Sequence, residues 1–339
     1  MTSLEITKKR IELHELCTLI EETFRREGCD DANSRAVAQT LLKAERDGAT
    51  SHGVFRLPGY LASLRSGKVN GHAKPKIDVT APSILRIDGD GGFAPLAHQL
   101  LLDPLERITR SQGIAMAAIQ NTYHFSALWI ELEMLAERGL VAFACTSYKP
   151  ALPPAGGKKP LYGTNPIAFA WPRTNNPPLV FDQASSVVAR GEVMLAARDG
   201  RQVAAGIGID PDGLPTTEPE AILKGALLPY GGYKGASIAL MVELLAGPLL
   251  GECLSIEAAK RDNNDGGPPR GGEFILAISP ERTCGSSRYL DHAEVLFSAM
   301  LSESGVRLPG DSRRRKRTKI EESGVEIEDY LLSILHGKK

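Results

Sequence analysis

Hydrophobic residues in the first 66 positions recur every three to four residues, which is the spacing of one buried face of an α-helix. Leu16, Ile20 and Phe24 follow this spacing. The next segment, DDANSRAVAQTLLKAERDGA, begins with Asp and Asn residues that can cap a helix N-terminus. The N-terminal part of the chain is therefore predicted to be helical.

Beyond a Gly/Pro-rich connector the pattern changes to short apolar runs of strand length. A helix over LAHQLLLDPLERITRSQG and another from about 126 to 138 interrupt these runs. The predicted strands are KIDVT, SILRIDGDGG, IAMAAIQ, LVAFACTS, NPIAFAWP and PLVFDQAS. Because Pro/Gly turns rather than regular helices separate many of them, the sheet is not expected to be a simple parallel βαβ series.

The C-terminal part is predicted to be mainly helical, near 235–248, 289–304 and 325–335, with GEFILAISP as a strand. The polar segment KRDNNDGGPPRGG is predicted to be a mobile loop. The longest apolar run, ASIALMVELLAGPLLG, contains Glu243 and is shorter than the roughly 18 to 20 residues of a membrane span. It is predicted to be a buried helix.

Composition limits the class of protein. A chain of 339 residues is expected to form two lobes, or one large domain with a long insertion. A content of 42% hydrophobic and 24% charged residues is ordinary soluble composition. A net charge of -1 gives no reason to expect a nucleic-acid or membrane partner. The five cysteines form no C-x-x-C pair, the histidines form no H-x-x-x-H pair, and the N-terminal residues lack a secretory signal pattern. We therefore expect no disulfide framework, no metal site and a cytoplasmic location.

The segment SHGVFRLPGY places His52 and Arg56 four residues apart. A histidine can act as a general acid near neutral pH, and an arginine can hold a carboxylate with two parallel hydrogen bonds. Alternatively, Ser51 caps a helix and His52 is a solvated residue of its first turn. The residues by themselves leave both interpretations open.

Other segments could bind an anion or assist a histidine. NTYHFSALW and YGGYKGAS both lead into predicted helices, whose free N–H groups attract phosphate. Asp182 ends a strand, either as a turn residue or as the third group of a proton relay. The glycines of IDGDGG lack Rossmann spacing and no P-loop is present. The run RRRKRTK at 313–319 is predicted to be a solvated basic face, with a nucleic-acid patch as the alternative.

Five segments in this order resemble the malate/L-lactate dehydrogenase-like family of NAD(P)H oxidoreductases, which is distinct from the Rossmann dehydrogenases. The segments are DGATSHGVFRLPGYLASLRSGKV, GTNPIAFAWP, FDQASSVVARGEV, YKGASIALMVELLAG and RLPGD. Within the family, HFSALW is most similar to the Δ1-piperideine-2-carboxylate/Δ1-pyrroline-2-carboxylate reductases.

The resemblance implies an α/β (α+β-like) fold. It consists of a non-Rossmann NAD(P)H-binding domain with a mostly antiparallel sheet, and a helical domain built from both chain ends. The expected units are an N-terminal helical, substrate and dimerisation domain at 1–115, an NADPH-binding domain at 116–285, and C-terminal helices at 286–339 that pack back on the first domain.

The resemblance also implies a reaction, the reduction of a cyclic ketimine carboxylate to L-pipecolate or L-proline by a homodimer that prefers NADPH over NADH. His52 would be the proton donor, with Ser51 and Asp182 as relay partners, and Arg56 and Thr164 would contact substrate. The residues implied to contact the cofactor are His124, Phe125, Ser126, Ala127, Leu128, Pro172, Arg173, Thr174, Tyr233, Lys234, Pro309, Gly310, Asp311 and Arg313.

Two alternatives remain at this stage. A 2-hydroxyacid dehydrogenase of the same family, acting on malate, lactate or ureidoglycolate, would use His52 as a base toward an alcohol. A non-catalytic protein that binds nucleic acid through residues 313–319 would show salt-dependent binding that depends on this basic run.

Overall fold

The protein is described by a computed structural model that covers residues 7–123, 127–286 and 288–338. The strands in this part of the chain are β1 (Lys8–Ile11), β2 (Lys76–Ala81), β3 (Ile84–Asp88), β4 (Ile114–Tyr123), β5 (Val141–Thr146), β6 (Ile167–Trp171), β7 (Leu179–Gln183), β8 (Gly208–Ile209), β9 (Pro215–Thr216), β10 (Ala226–Leu227), β11 (Arg270–Ile278) and β12 (Val325–Glu328).

The helices over the same ranges are α1 (Leu13–Arg26), α2 (Asp31–Arg46), α3 (Leu57–Arg65), α4 (Ala94–Gln112), α5 (Trp129–Glu137), α6 (Arg190–Arg198), α7 (Pro219–Lys224), α8 (Tyr233–Ala246), α9 (Ser255–Arg261), α10 (Pro280–Cys284), α11 (Arg288–Ser302), α12 (Asp311–Ser323) and α13 (Asp329–Leu335). Short 3₁₀ turns cover Thr50–His52, Val54–Arg56 and Pro248–Leu250.

A seven-stranded sheet in the order β2-β3-β4-β11-β5-β6-β7 forms the centre of the molecule. Only the β3–β4 pair is parallel among its described neighbours, and the other pairs are antiparallel. One face packs against α4 and α5 through residues such as Leu101, Leu105 and Leu132. The mostly antiparallel sheet confirms the predicted fold class and the predicted strands. The first two strands of this sheet, β2 and β3, lie before residue 115, within the predicted N-terminal domain. The predicted domain boundaries stay a prediction.

The two chain ends meet in a second core. Strand β1 pairs antiparallel with β12, with Lys8 opposite Glu328. The Thr23 hydroxyl of α1 donates a hydrogen bond of 3.0 Å to the carbonyl of Leu335 in α13. Buried Leu16 and Leu331 belong to the same apolar cluster. The helical domain built from both chain ends is therefore confirmed.

Pairing between distant segments explains where the predictions of helix were wrong. Residues 325–328 form β12 and only 329–335 form a helix, because Val325 and Ile327 alternate inward against β1. The supposedly helical N-terminal part contains β1 for the same reason. Such pairing partners lie more than 300 residues apart, so local periodicity cannot reveal them.

The basic run 313–319 forms part of α12, and its prediction as a solvated face was only partly correct. Arg315, Lys316 and Lys319 are exposed. Arg317 instead turns inward and donates to the carboxylates of Asp47, at 2.7 and 2.6 Å, and Glu133, at 2.6 Å. Two buried acids that are remote in sequence, one directly after α2 and one on α5, thus determine the orientation of the basic helix.

The loop that was predicted to be mobile is anchored by charged side chains. The ammonium of Lys68 lies 3.2 Å from the carboxylate of Asp262, which also accepts from Lys149 at 2.7 Å. Asp265 binds both Lys68 and the hydroxyl of Ser66. These contacts fasten the loop to the segment that follows α3.

Helix α8 was predicted to be buried, but only one of its faces is covered. Ala239 and Val242 are fully buried, whereas Leu240 and Leu244 are 43% and 52% exposed. By length and composition alone, Tyr233–Leu250 could cross a membrane, and 44% of this window is buried inside the protein. A core helix of a globular domain has the same properties.

Candidate active site

The turns between α2 and α3 hold three of the predicted site residues. Ser51 is buried, and its Oγ lies 3.0 Å from Nδ1 of His52. The Nε of Arg56 donates a 2.6 Å hydrogen bond to the carbonyl of Ser51. The N–H of Val54 donates to the buried carboxyl of Glu45 at 2.6 Å. The loop is thus held rigidly, and Ser51 is a neighbour of the histidine rather than a helix cap.

A cavity of about 360 Å³ opens beside this loop. It brings together six of the residues that the sequence singled out, from the loop, the start of α5, the segment before β6 and the end of β7. They are His52, Arg56, Ala127, Leu128, Thr164 and Asp182. Residues far apart in sequence, and predicted to serve one reaction, therefore line one site.

Opposing effects act on the pKa of Asp182, which lies at the end of β7. Burial raises the pKa of its carboxyl to about 6, against the charge of Arg313 and a hydrogen bond from the backbone N–H of Trp129, which both favour the carboxylate. Asp182 therefore changes protonation state within the working pH range of many enzymes, which suits a partner of a proton donor.

We expect Asp182→Asn to be more stable than the wild-type protein at about pH 8, by of order 1 kcal/mol. The ionised carboxylate costs free energy in the folded state above its raised pKa, and this cost disappears once the group is protonated in both the folded and unfolded states. Urea unfolding should show the difference at about pH 8 and its loss at about pH 4. Turnover should fall in the same variant.

Asp199→Asn is the matched control for this measurement. Arg198 and Arg201 hold the pKa of Asp199 below its ordinary value despite partial burial, so its ionised form is favoured in the folded state. This variant should be slightly less stable than the wild-type protein at about pH 8. A destabilised Asp182→Asn protein at that pH would contradict the assignment of Asp182 as a costly buried charge.

Two arginines expected at the cofactor phosphates, Arg173 and Arg313, already make contacts with other residues of the protein. The guanidinium of Arg173, at the exit of β6, makes two hydrogen bonds of 2.8 and 2.7 Å to Glu294 and stacks on Phe297. Arg313 stacks on Trp129 at 4.6 Å and donates to the carbonyl of Val180. Their roles in cofactor binding stay predictions.

Other residues that were predicted to contact the cofactor are near neighbours of these two arginines in the sequence. Pro172 is buried and Thr174 half-buried at the turn after β6. Pro309 and Gly310 lead into α12, where a carboxylate oxygen of Asp311 accepts from the N–H of Leu308 at 3.0 Å. His124, Phe125 and Ser126 lie outside the described residues.

A second cavity adjoins the first through the shared side chain of Val187. Its walls are the apolar and glycine-rich segments 153–157 and 228–233. Gly231 and Gly232 have φ angles of +58° and +63°, a left-handed conformation that favours glycine, and they turn the chain into α8. Tyr233 and Lys234 are exposed at this helix N-terminus. This edge could hold the polar part of a dinucleotide.

The structure adds lining residues to which the sequence reasoning assigned no role. Tyr148, Arg190 and Met194 face the first cavity. Arg190 lies within the motif FDQASSVVARGEV, so its position was available, but nothing in the local pattern distinguished it from a helix-start residue. Tyr148 lies two residues after the end of β5, and a polar ring near a strand end was the available signal.

Within the described residues, no group of three or more His, Cys, Asp or Glu side chains is arranged to hold a metal ion.

The sequence of this chain is similar to those of known proteins. Residues 11–336 match the family described as malate/L-lactate dehydrogenase. The chain is 46% identical to a Δ1-pyrroline-2-carboxylate/Δ1-piperideine-2-carboxylate reductase of Pseudomonas aeruginosa, over 95% of this chain and 97% of that protein. It is 42% identical to a (2R)-3-sulfolactate dehydrogenase (NADP(+)) of Chromohalobacter salexigens, over 97% of this chain and 98% of that protein.

The fold is shared with a solved structure. The Δ1-piperideine-2-carboxylate reductase of Pseudomonas syringae superposes with a TM-score of 0.93 at 39% identity, covering 97% of this chain and 99% of that chain. The two chains therefore share the same fold.

Proposed function

The chain belongs to the malate/L-lactate dehydrogenase family and is an oxidoreductase, and we propose that it reduces cyclic ketimine carboxylates with NADPH. The products would be L-pipecolate from Δ1-piperideine-2-carboxylate and L-proline from Δ1-pyrroline-2-carboxylate. One observation carries the proposal: the Ser51–His52 pair, Arg56 and Asp182 surround a single cavity. The relatives named as reductases of these imino acids support the substrate class.

The side chains have complementary tasks in this reaction. In the protonated imidazole, Nδ1–H of His52 can donate to the hydroxyl oxygen of Ser51, which orients the ring and leaves the Nε2 proton for transfer to the substrate ring nitrogen. Arg56 would hold the substrate carboxylate, because a guanidinium matches the two oxygens of that group. Asp182 would favour the protonated form of the histidine through its negative charge.

The residues present are suited to a nicotinamide cofactor. Its dinucleotide could occupy the glycine-rich edge at Gly231 and Gly232, with Lys234 as a cationic contact for a phosphate. Bound there, a reduced nicotinamide would supply the hydride for the C=N carbon. The proton from His52 then neutralises the nitrogen, so the reaction consumes one hydride and one proton. NADPH rather than NADH is our proposal for the preferred cofactor.

The direct test is a rate comparison with purified protein. NADPH oxidation is followed spectrophotometrically with Δ1-piperideine-2-carboxylate, Δ1-pyrroline-2-carboxylate, pyruvate and oxaloacetate in parallel, and NADH replaces NADPH in a second series. Rapid turnover of the cyclic imines supports the proposal. Turnover of only the open-chain acids would overturn it while leaving the oxidoreductase family intact.

We expect Arg173→Ala to weaken binding of NADPH more than that of NADH, because a guanidinium beside the cofactor would contact the 2′-phosphate. In the structure Glu294 holds this guanidinium, so phosphate must compete with a carboxylate. Fluorescence titration of both cofactors measures the effect. Glu294→Gln is the companion variant and should strengthen NADPH binding, since it frees Arg173. Equal losses for both cofactors in Arg173→Ala would refute the role.

A second candidate function is a 2-hydroxyacid dehydrogenase. The sulfolactate dehydrogenase relative is 42% identical over nearly the whole chain, so identity alone does not separate the two activities. The same cavity would serve, with His52 accepting the proton of an alcohol and Arg56 holding the carboxylate. The four-substrate comparison distinguishes the two candidates.

We further propose a cytoplasmic homodimer without nucleic-acid or membrane partners. The cysteines among the described residues, including buried Cys29, Cys145 and Cys253, are free thiols, which agrees with a reducing compartment. Light scattering after size exclusion tests the dimer. The engagement of Arg317 by Asp47 and Glu133 gives the nucleic-acid alternative less free positive charge than the sequence indicated.

A further inference from the structure

We propose that Arg190 is a second binding residue for the substrate carboxylate, acting beside Arg56. The inference deepens the proposed function, because it concerns the same cavity and the same anionic group. Arg190 begins α6, and its side chain lines the cavity together with Arg56 and Tyr148. Two guanidinium groups therefore face one small pocket.

Packing fixes the start of α6 against the turn that carries Ser51 and His52. A Cβ at Gly191 would lie 2.9 Å from a guanidinium nitrogen of Arg56 and 2.9 Å from Cβ of Ser51. Such close approach requires glycine at this position, so the backbone of Arg190 is held next to the two residues. The placement of Arg190 is thus a consequence of how the site is built.

The charge of Arg190 is not compensated within the described part of the protein. Its guanidinium makes no hydrogen bond or salt bridge to the residues that the structure describes. Burial lowers its pKa, and its positive charge opposes that of Arg56, whose own pKa is also lowered by burial. Asp182 is the only acid among the described residues that line the cavity.

A bound anion would offset the positive charge that Arg56 and Arg190 bring to the cavity. Like charges in a partly buried pocket repel, and a carboxylate placed between them gains attraction from both and can accept hydrogen bonds from both guanidinium groups. A single carboxylate has enough lone pairs to accept from two guanidinium groups. The pocket would therefore select for substrates that carry a carboxylate on the carbon that receives hydride, rather than for cyclic imines in general.

Arg190→Met tests this assignment, since methionine keeps the length and apolar stem but removes the charge. We expect KM for the carboxylated imine to rise about 10- to 100-fold, with kcat and the dissociation constant of NADPH nearly unchanged. Turnover of Δ1-piperideine, which lacks the carboxylate, should not fall, so the preference for the carboxylated ring is reduced. Arg190→Lys should recover part of the lost affinity, because the charge returns without the planar fork.

Arg201→Met is the matched control. Arg201 lies just beyond α6, its side chain is 61% exposed, and it pairs with Asp199 on the surface at 3.1 Å. This substitution should leave all three parameters unchanged. An unchanged KM in Arg190→Met, or weaker NADPH binding in place of weaker substrate binding, would overturn the proposal.

Failure of the proposed function can be told apart from failure of this inference. Calorimetric titration of pyrrole-2-carboxylate, a planar ring with the same carboxylate, into the NADP⁺-bound protein measures anion binding without turnover. If the wild-type protein reduces only open-chain 2-oxo acids, the substrate class is wrong, and the same KM comparison with the active 2-oxo acid still tests Arg190. If it reduces the imines but Arg190→Met binds the analogue normally, only the role of Arg190 is wrong.

Discussion

Replacement of His52 by alanine is expected to lower turnover of the cyclic imine by about 10²- to 10⁴-fold while leaving NADPH binding nearly intact. The imidazole faces the cavity and is positioned by the hydroxyl of Ser51 at 3.0 Å. Without a placed acid, the ring nitrogen must take its proton from water, which is a poorer and less well oriented donor. Steady-state kinetics and cofactor titration by fluorescence together provide the measurement.

Two further variants separate a chemical role of His52 from a structural one. His292→Ala removes an exposed histidine from α11 and should leave turnover unchanged. Ser51→Ala should lower kcat less than His52→Ala, because it removes the group that orients the ring but not the proton donor. A normal rate in His52→Ala would remove this residue from the mechanism.

The largest loss of stability is expected for Asp47→Ala, about 3 to 5 kcal/mol in the free energy of unfolding. The Asp47 side chain is fully buried at the end of α2. It accepts two hydrogen bonds from Arg317 and one of 3.0 Å from the indole N–H of Trp129. Removing the carboxylate leaves the Arg317 guanidinium with Glu133 as its one remaining carboxylate partner among the described residues, and weakens the contact between α12 and the end of α2. Urea unfolding monitored by tryptophan fluorescence measures the loss.

The pH dependence of the unfolding free energy provides a second test of the Asp47→Ala prediction. Burial acts to raise the pKa of Asp47, but hydrogen bonds and charge from Arg317 and Arg46 hold it below its ordinary value. A depressed pKa stabilises the fold above the pKa of the unfolded state, and this contribution is lost as the pH falls through the folded value. The difference between wild type and Asp47→Ala should therefore shrink in acid.

Asp103→Ala is the control for Asp47→Ala. Asp103 also forms an ion pair with an arginine, Arg138, at 2.7 Å, but its side chain is 85% exposed. Water screens this pair, so its loss should cost no more than about 1 kcal/mol. Equal effects of the two substitutions would show that burial does not determine the contribution of the network.

Local pattern predicted the central strands well because apolar runs bounded by turns have few alternatives. Runs such as IAMAAIQ and PLVFDQAS lie in β4 and β7. It failed at Val325–Glu328, where a strand partner lies at the opposite chain end, and at Arg317, where buried carboxylates turn a basic residue inward. In both cases the determining contact is remote in sequence, and periodicity carries no information about it.

The candidate site also has one part that the sequence predicted and another that it did not. His52 and Arg56 were recognised as a pair of suitable chemical types, but an ordinary helix start explained the local pattern equally well. The ordered motifs, and not the physics of any one segment, favoured the catalytic interpretation. Arg190 stood inside one of those motifs without a sign of its role, since a cavity-facing side chain has no local signature.

By itself, the sequence determined the types of chemical group, the short strands and the family resemblance, because these depend on residue identity and local spacing. The tertiary structure decided which groups meet. It placed Asp182 in the same cavity as His52, set two guanidinium groups beside one another, and turned Arg317 toward buried acids. Burial and proximity determine charge state and hydrogen bonding, and both arise only when distant segments pack together.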